Sequence, residues 1–522
     1  MKKLIIIITG IFMLAGCSLD PILTSSYSEE VAWTSPENCQ MYINKFYPLI
    51  GQSYYSDEIL WDSASDILKD NSPNSDISLF SYGTVAVTPE NNIFNNWSWG
   101  HSWAIDCCRF LDSMKKMGGD LPEEFRFEAE AQVRWFRALV YFEMARRYGA
   151  CLILYPELPG LGQKDHATCT PQKCWDFIKD DLDFASEYLP DTAVAGKLTK
   201  GAAYALMARA MLYAERYKDA YDACVAVEGF GYELESDYSQ LFKYKRASGT
   251  SKESIVEFGY QYPNLSYSFD KFYCPPGDGG YAQVSPTEEL VSQYQMADGT
   301  DFSWDNPDMA DDPYSGREPR FYATILYHGA QWKGRTLDMR TSSKDGVAFG
   351  GSTTSTGYYM RKLFDETQTV GFTESDLTKY YIRFAEILLI KAEALAHMEK
   401  YSDSMDALNK VRRRAGFPAE SDLKAADKNT CMRHIMHERM IELAFEGHRF
   451  WDLRRWGLAV QKLDNTHLTG VKPVDKDGVT TYVKFNADNG KVRKYPAKYD
   501  RFPIPIEEIQ RNGSISQFEE WK

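Results

Sequence analysis

The feature that most limits what this chain can fold into is where its hydrophobic period runs and where it stops. Between 123 and 228, and again between 379 and 463, apolar residues recur every three or four positions, the spacing that lines one face of an α-helix. Val133, Phe136, Val140, Met144 and Tyr148 form such a stripe within Glu123–Tyr148. Ile382, Ala385, Leu389, Ala392 and Ala396 form another within Tyr380–Met398. Further helices are expected over Pro171–Leu189, Lys200–Ala214, Lys218–Val227, Ser402–Ala415, Asn429–Phe445 and Phe450–Leu463. Ser35 before Pro36 is a helix start, and Gly149 and Gly416 are stops. Short turns join several of these helices, and Ala202, Ala203, Ala205, Ala208 and Ala210 let neighbours approach closely. Antiparallel pairs of this kind describe TPR-like packing, although the spacing departs from a strict repeat of about 34 residues.

The period is absent mainly over 51–110 and 229–378, stretches rich in Gly, Pro, Asp, Ser and aromatics. Long loops on a rigid scaffold tend to carry function. The expected fold class is therefore mainly α, a TPR-like helix-pair scaffold with a long, loop-rich, aromatic ligand-binding region.

Charge narrows the function. A formal net charge of −15 over 522 residues argues against nucleic acid, whose backbone is bound by a basic face. A mean hydropathy of −0.45 excludes a multi-span membrane protein. Aromatics, at 14% of residues, are in surplus, and that surplus hints at a binding surface.

The N-terminus reads as an address. Met1-Lys2-Lys3 is basic, and Leu4 to Leu14 is an apolar run too short to span a bilayer but suited to a secretory signal. Leu14-Ala15-Gly16-Cys17 has the form of a bacterial lipobox. Residues 1–16 are thus expected to be a signal peptide, with Cys17 lipidated and the mature chain, 17–522, anchored to a membrane by lipid. Ser18, in place of Asp, gives no signal for inner-membrane retention. The nine other cysteines are scattered and form no Cys-x-x-Cys pair. Cys169 and Cys174 could bridge outside the cytoplasm; the set as a whole reads as mostly buried thiols.

No P-loop, Rossmann or Gly-x-Ser-x-Gly motif is present, and no cofactor is implied. His434, His437 and Glu438 sit at metal-like spacing without the usual His-Glu-x-x-His order. Asp305, Asp308, Asp311 and Asp312 lack an EF-hand pattern and read as a solvated acidic loop. Glu438, Glu442 and Glu446, followed by Arg449, Asp452 and Arg455, read as ion pairs between helices.

Among aromatics, those in loops bear on function, and Trp61 belongs with them. A sugar ring stacks its C–H face on Trp or Tyr while polar side chains take its hydroxyls. Candidate ligand-binding residues are Trp97 and Trp99 from the first irregular region, and Tyr273, Tyr281, Trp304 and Trp332 from the second. Asp66, Asn96 and Arg317 are their candidate polar partners.

Several blocks resemble one known family. Arg383 to Ala394, Leu408 to Gly416, Glu438 to Gly457 and Pro503 to Glu508 resemble the C-terminal signature of SusD/RagB lipoproteins. Arg134 to Gly149, Asp180 to Pro190, Thr199 to Ala220, Ser285 to Leu290 with Asp298-Gly299, and Glu318 to Phe321 resemble its upstream motifs in order. The family's usual Gly-Val-Pro-Leu after the first of these helices is Ala150-Cys151-Leu152-Ile153 here. The resemblance implies a single lobe over 17–522, and a non-catalytic outer-membrane lipoprotein exposed at the cell surface. It also implies a SusC-like TonB-dependent β-barrel transporter as partner, for which the protein captures ligand and acts as a lid. Family ligands are mostly glycans and sometimes peptides. Glycan capture is the leading expectation and peptide capture its alternative. A TPR scaffold for other proteins and a glycoside hydrolase rank below.

Overall fold

The computed structural model describes residues 29–522, apart from 55–57, 164 and 369–373. Cys17 and the expected signal peptide lie outside the described residues.

Ten helices carry the architecture: α1 (Pro36–Asn44), α2 (Trp97–Met117), α3 (Glu123–Tyr148), α4 (Pro171–Tyr188), α5 (Lys200–Tyr213), α6 (Tyr217–Glu228), α7 (Phe384–His397), α8 (Tyr401–Arg414), α9 (Lys428–Glu442) and α10 (Arg449–Arg455). Their starts follow local chemistry. Ser35, Thr170, Thr199 and Asp427 each accept a hydrogen bond from a backbone amide of the first turn, satisfying a donor the helix cannot. α3 ends where Gly149 turns left-handed, at φ 64°.

Neighbours in sequence are neighbours in space. α2 packs on α3, α3 on α4, α4 on α5 and α5 on α6; α6 then packs on α7, and α7 on α8 and α9. The stack is a TPR-like solenoid interrupted by one long excursion between α6 and α7. α5 is buried on almost every side, and its alanines explain how. At Gly201 a Cβ would lie 2.4 Å from the Tyr232 hydroxyl, so a larger residue would have to push that ring aside.

Six strands matter to the site: β1 (Leu68–Asp70), β2 (Ser254–Phe258), β3 (Val284–Pro286), β4 (Lys379–Arg383), β5 (Thr469–Lys476) and β6 (Val479–Asn486). β2 pairs antiparallel with β4, with Ser254 opposite Arg383, so the excursion leaves and re-enters the scaffold side by side. β5 and β6 form a hairpin turned at Asp477-Gly478, both at positive φ.

The loop-rich excursion has its own core. Tyr260, Tyr267, Phe269, Tyr294, Phe321, Trp332, Tyr358, Tyr359 and Phe364 pack together beneath it, apart from the aliphatic core of the helices. Between the two lies a buried ionic neck. Arg383 bonds Glu253, Glu442 and Glu446 at 2.6–2.7 Å, and Arg320 reaches Glu318, Glu438 and Glu442 at 2.5–2.9 Å. Arg414 joins Glu253 to Glu442. The charge-dense block after Glu438 is thus the ion-pair network expected of it.

Three expectations are corrected, and one element is new. Tyr380–Arg383 form strand β4, so that helix begins at Phe384. The helix expected over Phe450–Leu463 breaks at Gly457, φ 68°, into α10 and a short turn of helix, Ala459–Leu463. Residues 97–110, read as loop, belong to the 21-residue α2. Its buried face includes Gly100, His101, Ala104 and Cys107, a helical spacing in weakly apolar residue types. The β5–β6 hairpin was not expected, although Asp-Gly between alternating residues is its usual signal.

Candidate functional site

The two irregular regions meet at one ladder. β1 pairs antiparallel with β3, placing Leu68 opposite Pro286 and Asp70 opposite Val284. Asn71, just beyond β1, joins three segments. Its Nδ2 donates to Ala282 O at 2.6 Å and Ser285 Oγ at 2.7 Å, and its Oδ1 accepts from Ser355 Oγ at 2.5 Å. Its burial with both amide ends satisfied makes this a rigid join.

Next to the ladder the chain raises two aromatic rings to the surface. Phe269 and Tyr273, four residues apart on the short helix Phe269–Tyr273, face the core, and Phe272 therefore faces out at 43% exposure. Tyr281, at 45%, lies beside it, with ring centroids 6.1 Å apart and planes at 60°. The amides of Tyr281 and Gln283 donate to the carbonyls of Lys271 and Phe272 at 2.8 and 2.9 Å, fixing the register. The return between them needs glycine, because a Cβ at Gly280 would lie 2.1 Å from Cys274 O. Lys271 Nζ stands 5.6 Å from the Tyr281 ring centroid.

Polar groups under this turn are held firmly. Asp345 Oδ1 accepts from the Gly277 amide at 2.8 Å, and Arg335 bridges Asp278 and Asp345 at 2.8 and 2.5 Å. Hydrogen bonds from Arg335 to Asp278 hold the guanidinium above its ordinary range, so it stays charged. Arg335 keeps 31% of its side chain in solvent. An exposed aromatic pair on a turn pinned in this way can stack on a flat apolar face.

The candidate residues fall in different places. Trp97, 1% exposed, opens α2 with its ring edge-on to Tyr148 at 5.1 Å. Trp99 is half-buried against the helical core. Asn96 precedes α2 without capping it; the neighbouring Asn95 Oδ1 accepts from the Trp97 amide instead. Tyr273 is buried beside Phe269, and Trp332, 1% exposed, donates its indole to Asp278 at 2.8 Å. Trp304 is half-buried, donating to Glu288 at 2.6 Å with Lys484 at 5.0 Å from its ring.

Asp66 is buried and clasped bidentately by Arg449 at 2.8 Å; burial opposes its ionisation, yet Arg449 holds it below the usual carboxylate range. Arg317 is buried too, donating to the carbonyls of Val291, Tyr294 and Pro313. Trp97, Trp332, Tyr273, Asp66 and Arg317 are thus buried, each taken up by packing or hydrogen bonding within the fold. Tyr281 alone among the nine is fully at the surface. Phe272, Lys271 and Arg335 were missed. Helical spacing around Phe269 and Tyr273 was the available signal for Phe272.

The metal-like residues have other partners. Glu438 bonds Arg320, His437 Nε2 lies 2.8 Å from Gln293 O, and Asp305, Asp308, Asp311 and Asp312 are exposed around a short helix, Pro307–Asp311. A cleft of about 610 Å³ opens elsewhere, lined by Tyr238, Phe242, Tyr322, Arg361, Phe364 and Arg414. In that cleft Arg361 pairs with Glu366, Arg414 with Glu253 and Glu442, and Arg317 donates to backbone carbonyls.

The helical solenoid thus presents an exposed aromatic pair on a firmly held loop. Comparison with known proteins gives the family. The model of the SusD family matches residues 239–521, and one described as "starch-binding associating with outer membrane" matches 24–212. The chain belongs to the SusD family. A SusD-like protein of Bacteroides ovatus is 23% identical over 97% of this chain and 93% of its own. A SusD-like protein from Bacteroides fragilis superposes with a TM-score of 0.80 at 28% identity, covering 94% of this chain and 98% of that one. A SusD-like carbohydrate-binding protein of the same organism gives 0.80 at 24% identity, covering 93% and 99%. No helix among the described residues is long and apolar enough to cross a membrane.

Proposed function

We propose that this protein is a non-catalytic lipoprotein of the outer membrane that captures oligo- or polysaccharides at the cell surface. It passes them to a SusC-like TonB-dependent transporter. Lipid on Cys17 is the anchor. The observation that carries the reading is the exposed Phe272–Tyr281 pair, set where both irregular regions join, on a turn that Arg335 holds through Asp278. Such a surface suits a sugar ring, apolar on its faces and polar at its rim. The starch-binding description of the matching family and the carbohydrate-binding relative support glycan over peptide. Trp99 and Trp304, both half-buried, are proposed as secondary contacts, together with Asn96.

The test is affinity electrophoresis through a panel of polysaccharides, with a peptide mixture run alongside by calorimetry. Retardation by a glycan, abolished in Tyr281→Ala and Phe272→Ala, is the expected result. Retardation unchanged in both variants would move the site away from this pair. Heat with peptides and no glycan retardation would replace the glycan reading by peptide capture.

A further inference from the structure

Three cysteines gather where segment 150–152 meets the start of α4, and none takes part in the proposed capture. Cys169 immediately precedes Thr170, the N-cap of α4, and Cys174 lies in its first turns. Thr170 Oγ1 accepts from the Lys173 amide at 3.4 Å, and the Cys174 amide donates to Thr170 O at 3.1 Å, so the cap is formed. In a capped helix the residue before the cap and the fourth helical residue meet side by side, the positions of a hydrophobic staple. Here both positions are cysteine. The two side chains are close enough for Cys174 to act on the Cys169 thiol. Segment 150–152 runs alongside: the Cys169 amide donates to Leu152 O at 2.8 Å, and Cys169 Sγ lies 3.7 Å from Ala150 O. That places Cys151 next to the pair.

We propose that Cys169 and Cys174 form a closable dithiol whose disulfide staples the start of α4 to the segment before it. The geometry gives the two sulfurs different roles. Cys169 is partly exposed, whereas Cys174 is 0% exposed, so an incoming oxidant meets Cys169 first. The neighbouring Cys174 lowers the Cys169 thiol to about 7, leaving much of it as thiolate at neutral pH. The oxidant is a disulfide. Cys169 thiolate attacks one of its sulfurs, forming a mixed disulfide and expelling one thiolate. That thiolate takes the proton of Cys174, which attacks the Cys169 sulfur, closes the protein disulfide and expels the second thiolate, protonated by water. Two protein thiols lose two electrons, and one small disulfide becomes two thiols.

The staple has a structural reach. His166 O accepts from Asn512 Nδ2 at 2.8 Å, and Asp165 Oδ1 from the Gly513 amide at 3.2 Å, so the segment it locks also seats the C-terminal tail. The inference does not depend on which ligand the protein captures. Disulfides persist in the oxidising compartments outside the cytoplasm, where export through the expected signal would place it.

The experiment uses the purified full chain and oxidised glutathione at neutral pH. Remaining thiols are alkylated in denaturant, and the protein is digested with trypsin. Lys173 separates the two cysteines, so peptides 165–173 and 174–179 are distinct. The expected product joins them, about 2 Da below the summed reduced masses. In Cys174→Ser the expected product is instead a glutathione adduct on Cys169, since the resolving thiol is gone. In Cys151→Ser the link between 169 and 174 forms unchanged. Full alkylation of Cys169 and Cys174 after oxidation, or a link from Cys169 to Cys151, would overturn the proposal. The wild-type digest alone decides this if a variant fails to fold.

Discussion

In the scaffold, α5 and α7 bury alanine, leucine and isoleucine almost all round, and their backbone amides bond within the helix. In the excursion between α6 and α7 the backbone is irregular, and side chains must satisfy it. Tyr238, Tyr267, Tyr359 and Tyr380 donate their hydroxyls to the carbonyls of Glu442, Leu377, Asp345 and Leu241. Arg317 does the same for three more. A buried carbonyl without a donor is costly, and tyrosine supplies a donor on the end of an apolar ring. Much of the aromatic surplus is therefore the means by which an irregular backbone is kept dry. A smaller part reaches the surface.

The largest effect on this contrast should come from acid. Burial opposes ionisation of Glu393, Glu442, Glu446 and Asp452, but adjacent arginines hold all four below the ordinary carboxylate range. With folded values below unfolded ones, their stabilisation is complete above about pH 4.5 and is lost as pH falls through the lowered values. Urea midpoints should drop steeply on that acid limb, and the near-UV signal of the aromatic core should fail before the far-UV helical signal.

Arg383→Ala attacks the neck directly and leaves Glu253, Glu442 and Glu446 without their shared cation. It should cost about 3–5 kcal/mol in chemical denaturation. A change below about 1 kcal/mol would mean that the two regions do not need this join. Tyr380→Phe removes one buried donor from Leu241 O and should cost about 1–3 kcal/mol with little change of shape. A neutral outcome would contradict the account of why tyrosine fills this core. Tyr281→Ala should shift stability by no more than about 0.5 kcal/mol, since the ring is exposed, while removing glycan retention.

The scaffold was legible because its apolar residues are strong and periodic; α3, α4 and α5 stand within a residue or so of their expected bounds. α2 was hidden because glycine, histidine and cysteine fill the positions that leucine would have marked. β4 was hidden because Tyr380-Tyr381-Ile382 leads straight into an apolar helix, and a short buried strand cannot be told from a helix start by its period. The surface was less legible still. Tyr281 and Tyr273 are the same residue type in the same loop, one exposed and one buried, and only tertiary packing separates them. Asp66 and Arg317 looked like ligand contacts because a charge that completes an irregular interior has the same letter as one that waits at a surface.

The pairing of β2 with β4 means that everything between them enters and leaves through two strands about 4.8 Å apart. A segment with adjacent ends can be exchanged for another of different length without moving the helices on either side. The solenoid is in that sense a socket and the aromatic lobe a cartridge, held at the rim by Arg383 with its three glutamates, by Arg320 on Glu438 and Glu442, and by the β1–β3 ladder.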